Sequence, residues 1–224
     1  MNFKILALPL VLLVGSNTLA ADATLNTDKK KISYAIGLQL GSDFKRGELD
    51  IDTPSLLMAI EDMMAGKTPR LTEQELNDTM SLFREQQMAK QSQVADKNKA
   101  KGDAFLAANK TAPGVKVLPS GVQYKVIKAG SGKSPTSENS VVAHYRGTLV
   151  DGTEFDSSIK RGEPATFPVT GVIKGWQEIL PKMKIGDKWE VFIPSELAYG
   201  IRGQGPIIGP NAALIFEIEL LEIQ

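Results

Sequence analysis

From Leu71 to Lys101 the chain contains neither glycine nor proline, and this stretch decides how everything around it can be arranged. Thr72 is followed three residues later by Glu75, the capping-box pattern that opens a helix. The spacing predicts a helix from Glu73 towards Asn109, about 55 Å long if wholly helical. Leu76, Met80 and Phe83 give its first turns an apolar side. After Arg84 the sequence becomes rich in Gln, Lys and Asp, with only Met88, Val94 and a few alanines. A helix polar all round has no core to lie against, so this one reads as a solvent-bridging spacer, with a disordered charged linker as the alternative. Whatever precedes and follows it must fold separately.

Met1-Asn2-Phe3-Lys4 is a short positive start, and Ile5 to Gly15 is an apolar run of signal-peptide length. Thr18-Leu19-Ala20 offers small residues at the −3 and −1 positions of a cleavage site. A transmembrane anchor needs about 20 apolar residues, more than this run supplies. The expected location is the periplasm after cleavage, with outer-membrane association or secretion left open.

Two shorter helices are predicted between the signal and the spacer. Ile32, Ile36, Leu40 and Phe44 recur every four residues from a start near Asp28, with Gly47 at the end. Thr53-Pro54 reads as an N-cap with proline at the first helical position, and Leu57, Ile60 and Met64 then share one face before Gly66. Units below about 40 residues usually need oligomerisation or staples. Together with Met58, Met63 and Met64, adaptable in shape, the stripes predict a homodimerisation module. A core formed against the C-terminal half is the competing reading.

After Pro113 the period changes to two. Val122, Tyr124 and Val126 alternate with polar residues, as do Val141, Ala143, Tyr145, Gly147 and Leu149. Asp151-Gly152 signals a hairpin turn. Trp189, Val191 and Ile193 form another alternating run, and Leu214, Phe216, Ile218 and Leu220 the last. Val172 to Leu180 suits one short helix packed across a curved antiparallel sheet. The fold class is α+β.

Composition removes several functions. The chain has no cysteine, which excludes disulfides, thiol nucleophiles and Cys-ligated zinc. It has one histidine, His144, so a multi-His metal site cannot be built. Lys plus Arg and Asp plus Glu are 26 each, and the charges are interleaved, which argues against nucleic acid. Gly200 to Gly209 is glycine-rich but carries Pro206 and lacks the Lys-Ser/Thr of a phosphate loop. A hydrolase is the weakest reading, because His144 has no plausible Ser and Asp constellation. His144 itself is predicted to point away from the face of Tyr145, packed or facing solvent.

What remains is a concentration of aromatic residues in the C-terminal half: Tyr145, Phe155, Phe167, Trp176, Tyr199 and Phe216. Such residues are ordinarily core. Asp156 beside Phe155, and the Tyr145 and Tyr199 hydroxyls, need polar partners if buried. Ile207-Ile208 sits in a Gly/Pro loop.

Tyr145-Arg146-Gly147-Thr148-Leu149, Asp151 to Ser158, Val172-Ile173-Lys174-Gly175-Trp176, Leu197-Ala198-Tyr199-Gly200 and Leu214 to Leu221 occur in an order that resembles the FKBP-type prolyl isomerases. The resemblance covers about residues 113–224. The signal, helical module and long helix before it resemble the Mip (macrophage infectivity potentiator) branch, as do Pro113-Gly114-Val115 and Leu118 to Tyr124. The implied division is signal peptide 1–20, dimerisation module 21–71, connecting helix 72–112 and isomerase domain 113–224.

The resemblance implies peptidyl-prolyl cis-trans isomerisation without cofactor or metal. Its proline pocket would be lined by Tyr145, Phe155, Asp156, Arg161, Val172, Ile173, Trp176, Tyr199, Ile207, Ile208 and Phe216, with Trp176 as the floor. Tyr145, Phe155, Asp156 and Tyr199 would carry catalysis. Ala165 stands where many eukaryotic members have phenylalanine and Gln204 where a histidine is frequent, so ligand selectivity should differ. The implied partners are proline-containing or unfolded polypeptides, macrolide inhibitors of the class, and a second copy of the chain. The alternative function is a dimeric periplasmic holding chaperone that binds clients without needing catalysis; a host-interaction role follows from the branch name alone.

Overall fold

A computed structural model of the chain describes residues 24–224. The signal-peptide reading falls outside them. The described residues form two compact units, the first ending at Thr68 and the second running Pro69–Gln224.

The first unit is two helices. Helix α1 (Asp28–Arg46) is capped by the Thr27 hydroxyl, which accepts from Lys30 N–H, and carries Lys45 and Arg46 in its last turn, where they suit the dipole. Its C-cap Gly47 keeps a right-handed φ of −78°, and the left-handed position falls on Glu48 instead. Helix α2 (Thr53–Met64) starts one residue earlier than predicted: the N-cap is Asp52, whose carboxylate accepts from Ser55 N–H at 2.9 Å. Asp outranks Thr as a cap, and Pro54 then falls within the first turn. None of α1 is buried, and only Asp62 of α2 is.

The second unit opens with α3 (Glu73–Asn109), 37 residues long, with the capping box made in both directions between Thr72 and Glu75. Its C-terminal end does not bridge solvent as predicted. Phe105 meets Phe192 at 5.8 Å, Gly102 lies so close to Ala213 that a Cβ there would come within 3.0 Å, and Asn98 donates to Pro210 O at 2.9 Å. Gln123 donates to Leu106 O and accepts from Asn109. Periodicity missed this because few apolar side chains make the contact: a glycine and buried amides do.

Seven strands follow: β1 (Val115–Val117), β2 (Gln123–Lys128), β3 (Ser140–Leu149), β4 (Glu154–Ser157), β5 (Ala165–Pro168), β6 (Lys188–Ile193) and β7 (Leu214–Ile223). They form one antiparallel sheet in the order β1-β2-β6-β7-β3-β4, with β5 also on β3. The predicted alternation places Val141, Ala143, Tyr145, Trp189, Val191, Ile193, Leu214, Phe216, Ile218 and Leu220 on the inner face. A short helix α4 (Ser158–Arg161) turns the chain after β4, and α5 (Lys174–Ile179) packs across the sheet. Gly175 allows that approach, since a Cβ there would lie 2.5 Å from Ile193 Cγ2. Trp176 and Ile179 of α5 thereby join the core.

Candidate active site

A cavity of about 370 Å³ opens where α5 crosses the sheet, lined by Tyr145, Phe167, Gly171, Val172, Ile173, Trp176, Tyr199 and Phe216. Trp176 is its centre of packing. Tyr145, Phe167 and Phe216 meet the indole edge-on at 5.6, 5.7 and 5.2 Å, each at 79–85°. Edge-to-face geometry suits the ring quadrupoles and fixes every wall against one floor.

Six of the eleven predicted residues line the cavity: Tyr145, Val172, Ile173, Trp176, Tyr199 and Phe216. Phe155 stands behind the wall, T-shaped on Phe216 at 5.5 Å. It fits because residue 147 is glycine: a Cβ there would lie 2.5 Å from the Phe155 ring. Asp156 and Arg161 reach the site through Tyr145. The Tyr145 hydroxyl donates to the Asp156 carboxylate and accepts from Arg161 Nη2 at 2.8 Å, while Arg161 Nη1 pairs with Asp156. The guanidinium also lies over the Tyr145 ring at 5.5 Å. Ile207 and Ile208 part company: Ile207 is 43% exposed and Ile208 only 6%, in the core. Phe167 and Gly171 were not among the predicted residues; Phe167 belongs to the aromatic set but has no motif to single it out.

Electrostatics favour a neutral, fixed surface. Burial pushes the Asp156 carboxyl up, but hydrogen bonds from Tyr145 and Arg161 and the Arg161 charge outweigh it and hold it below the ordinary range. Burial raises the Tyr145 hydroxyl, reinforced by its bond to Asp156. Burial likewise raises Tyr199, helped by the Asp156 charge, and no described group hydrogen-bonds its hydroxyl. The Ile173 N–H, at the start of α5, also donates to no described group. Nothing here is arranged for proton transfer or nucleophilic attack.

Residues 29–126 match the domain amino terminal to FKBP-type peptidyl-prolyl isomerase, and residues 131–221 match FKBP-type peptidyl-prolyl cis-trans isomerase itself. The outer membrane protein MIP of Legionella longbeachae is 49% identical, covering 100% of this chain and 99% of that protein. The chain belongs to the FKBP-type peptidyl-prolyl cis-trans isomerases. Peptidyl-prolyl cis-trans isomerase Mip of Coxiella burnetii is 45% identical over 95% of this chain and 94% of its own. The crystal structure of FkpA from Escherichia coli matches with a TM-score of 0.65 at 37% identity, covering 89% of this chain and 98% of that one. The helical N-terminal part, long helix and curved sheet are thus shared with a solved isomerase of the family. This FKBP-type enzyme accelerates rotation about X-Pro bonds.

His144 lies on β3 beside Tyr145, half-buried, its Nδ1 3.1 Å from Ser158 Oγ. The sequence offered it no serine, and the structure supplies one. Ser158 is nevertheless fully buried, with its Oγ bonded to both the N–H and the C=O of Tyr145. It is closed to substrate, and the hydrolase reading ends there.

Proposed function

We propose that the enzyme seats a prolyl ring on Trp176 between Tyr145, Phe167 and Phe216, and that Phe155 backs this wall. The uncatalysed barrier of about 18–20 kcal/mol comes from amide resonance. At the twisted transition state that resonance and its charge separation are lost. A dry aromatic cavity therefore favours the twisted amide over the planar, more polar one that water solvates better. Two unspent donors face this problem. Ile173 N–H donates to a client carbonyl beyond the proline, and Tyr199 O–H to the one before it. Asp156 and Arg161 fix the Tyr145 ring rather than exchange protons. The observation that carries this reading is the Trp176 floor with three rings edge-on around it.

The clients are proline-containing polypeptides, and macrolide inhibitors of the class compete for the same cavity. The division into signal peptide 1–20, helical module 21–71, connecting helix 72–112 and isomerase domain 113–224 is part of this reading. So is a periplasmic site of action, supported by the signal-like sequence of residues 1–20 and by the similarity to an outer membrane protein, MIP. The module is proposed to join two copies, because α1 and α2 leave Ile32, Ile36, Leu57 and Met64 all more than half exposed. The same arrangement supports a holding-chaperone role beside catalysis.

The test is proline-limited refolding of a model protein with Asp156→Leu, Phe155→Ala and Tyr199→Phe. Each is expected to lower kcat/KM about tenfold or more, the equivalent of about 1.4 kcal/mol of transition-state stabilisation. Wild-type rates in all three would refute the site.

A further inference from the structure

Strand β3 is paired along one edge by β7 throughout, but on its other edge by two separate strands. Strand β5 covers Ser140 to Ala143, and β4 covers Arg146 to Thr148. Between them, at His144 and Tyr145, no strand lies alongside. Backbone groups left unpaired in such a gap, beneath a buried ring, would destabilise it. The Ser158 hydroxyl fills the gap. It accepts from Tyr145 N–H at 2.7 Å and donates to Tyr145 C=O at 3.2 Å, as a neighbouring strand would.

A serine hydroxyl has one proton. Once that proton goes to Tyr145 C=O, the third contact, to His144 Nδ1 at 3.1 Å, is a hydrogen bond only if Nδ1 carries the proton. The neutral ring must then leave Nε2 bare, since the bond at one ring nitrogen sets the other. The charged groups around His144 are paired with one another, Lys128 with Glu219 at 4.0 Å and Arg146 with Glu154 at 2.7 Å. Glu219 lies opposite it on β7, with Lys188 opposite Glu219 on β6 and Arg146 two residues along β3. Glu217 is engaged by Lys188 at 2.8 Å.

The corner from Asp156 to Arg161 therefore grips Tyr145 in three places. Asp156 and Arg161 hold its hydroxyl, and Ser158 holds its backbone. The main chain and the hydroxyl of one tyrosine are thus both fixed to one short turn. We propose that Ser158 and His144 are positioning residues for isomerisation: the Ser158 hydroxyl, completed by the proton on His144 Nδ1, pegs Tyr145 to the turn that carries Asp156. The inference rests on the cavity being the proline site, and its readouts separate the two.

The experiment uses the full chain labelled with ¹⁵N, in which His144 is the only histidine. Long-range ¹H–¹⁵N correlation is expected to show neutral His144 with the proton on Nδ1, and amide exchange to show Tyr145 N–H protected. Ser158→Ala should expose that amide and lower kcat/KM about tenfold, the order expected for a small misplacement of a site group. His144→Leu should lower it similarly, and adding it to Ser158→Ala should cost nothing more. His144→Asn, with an amide N–H near the Nδ1 position, should recover most of the rate; His144→Gln should not. A neutral ring protonated on Nε2, additive losses, or full activity in Ser158→Ala would each overturn the proposal. Should Ser158→Ala fail to fold, the tautomer and the His144 series still decide it. If Asp156→Leu, Phe155→Ala and Tyr199→Phe are all fully active while the peg is intact, the site reading fails instead.

Discussion

The helical unit and the sheet unit both carry apolar residues at regular spacing, and they dispose of them in opposite ways. In α1 and α2 the four-residue stripe forms as written, yet Ile36 remains 58% exposed within one chain. In the sheet the two-residue alternation ends with Ile218 and Leu220 at 0%. Periodicity states that a face is to be covered; it does not state by what. A sheet with a helix across it supplies its own cover, whereas two short helices have too little surface between them to do so.

The largest test of this contrast is in the core. Leu220→Ala should cost about 3 kcal/mol of unfolding free energy in denaturant titration, within the range for buried Leu truncations. The cost should not vary with protein concentration. A loss under about 1 kcal/mol would mean that the sheet core is looser than its burial indicates.

The second test is Ile36→Glu. Sedimentation velocity should give a dimer for the wild-type chain and a monomer for the variant, with turnover of a short proline peptide within about twofold of wild type. A wild-type monomer at micromolar concentration would break the comparison, leaving the exposed stripe without a covering partner.

Legibility followed the same division. Long-range pairing of rings was readable through motif order, which placed Tyr145, Trp176, Tyr199 and Phe216 in one cavity, as the structure has them. Phe167 escaped because its role depends on β5 returning to β3, a pairing that no local pattern encodes. Ile207 and Ile208 are adjacent in a turn, and only three dimensions decide which is buried. The docking of α3 was illegible for a different reason. It depends on Gly102 being small and on Asn98, Asn109 and Gln123 pairing across sequence distance, features that hydropathy treats as noise.

A third test asks whether α3 owes more to local capping or to that docking. Thr72→Ala removes the arm of the capping box in which the hydroxyl accepts from Glu75 N–H, worth about 1 kcal/mol in a helix that depends on its cap, and leaves the residue 72 N–H on the Glu75 carboxylate. The loss should appear as faster amide exchange in the first turns of α3, with protection near Phe105 unchanged. Uniform loss along the helix would show one cooperative rod rather than a docked end and a capped one.

The smallest effect should be that of pH on the cavity, and its sign follows from the site. Asp156 is held below the ordinary carboxylate value of about 3.9, so its contribution to the Tyr145 clamp is complete above that value. It is lost only as pH falls through the lower, folded value. Tyr145 and Tyr199 are both raised, so their hydroxyls keep their protons past the ordinary tyrosine value of about 10. Between those limits nothing that lines the cavity changes charge. A chymotrypsin-free isomerase assay should therefore give a flat kcat/KM from about pH 5 to 9, falling on the acid side only below the usual carboxylate range. A step near pH 4 or above would mean that Asp156 stands apart from Arg161 in solution, and that the clamp is weaker than the sheet that carries it.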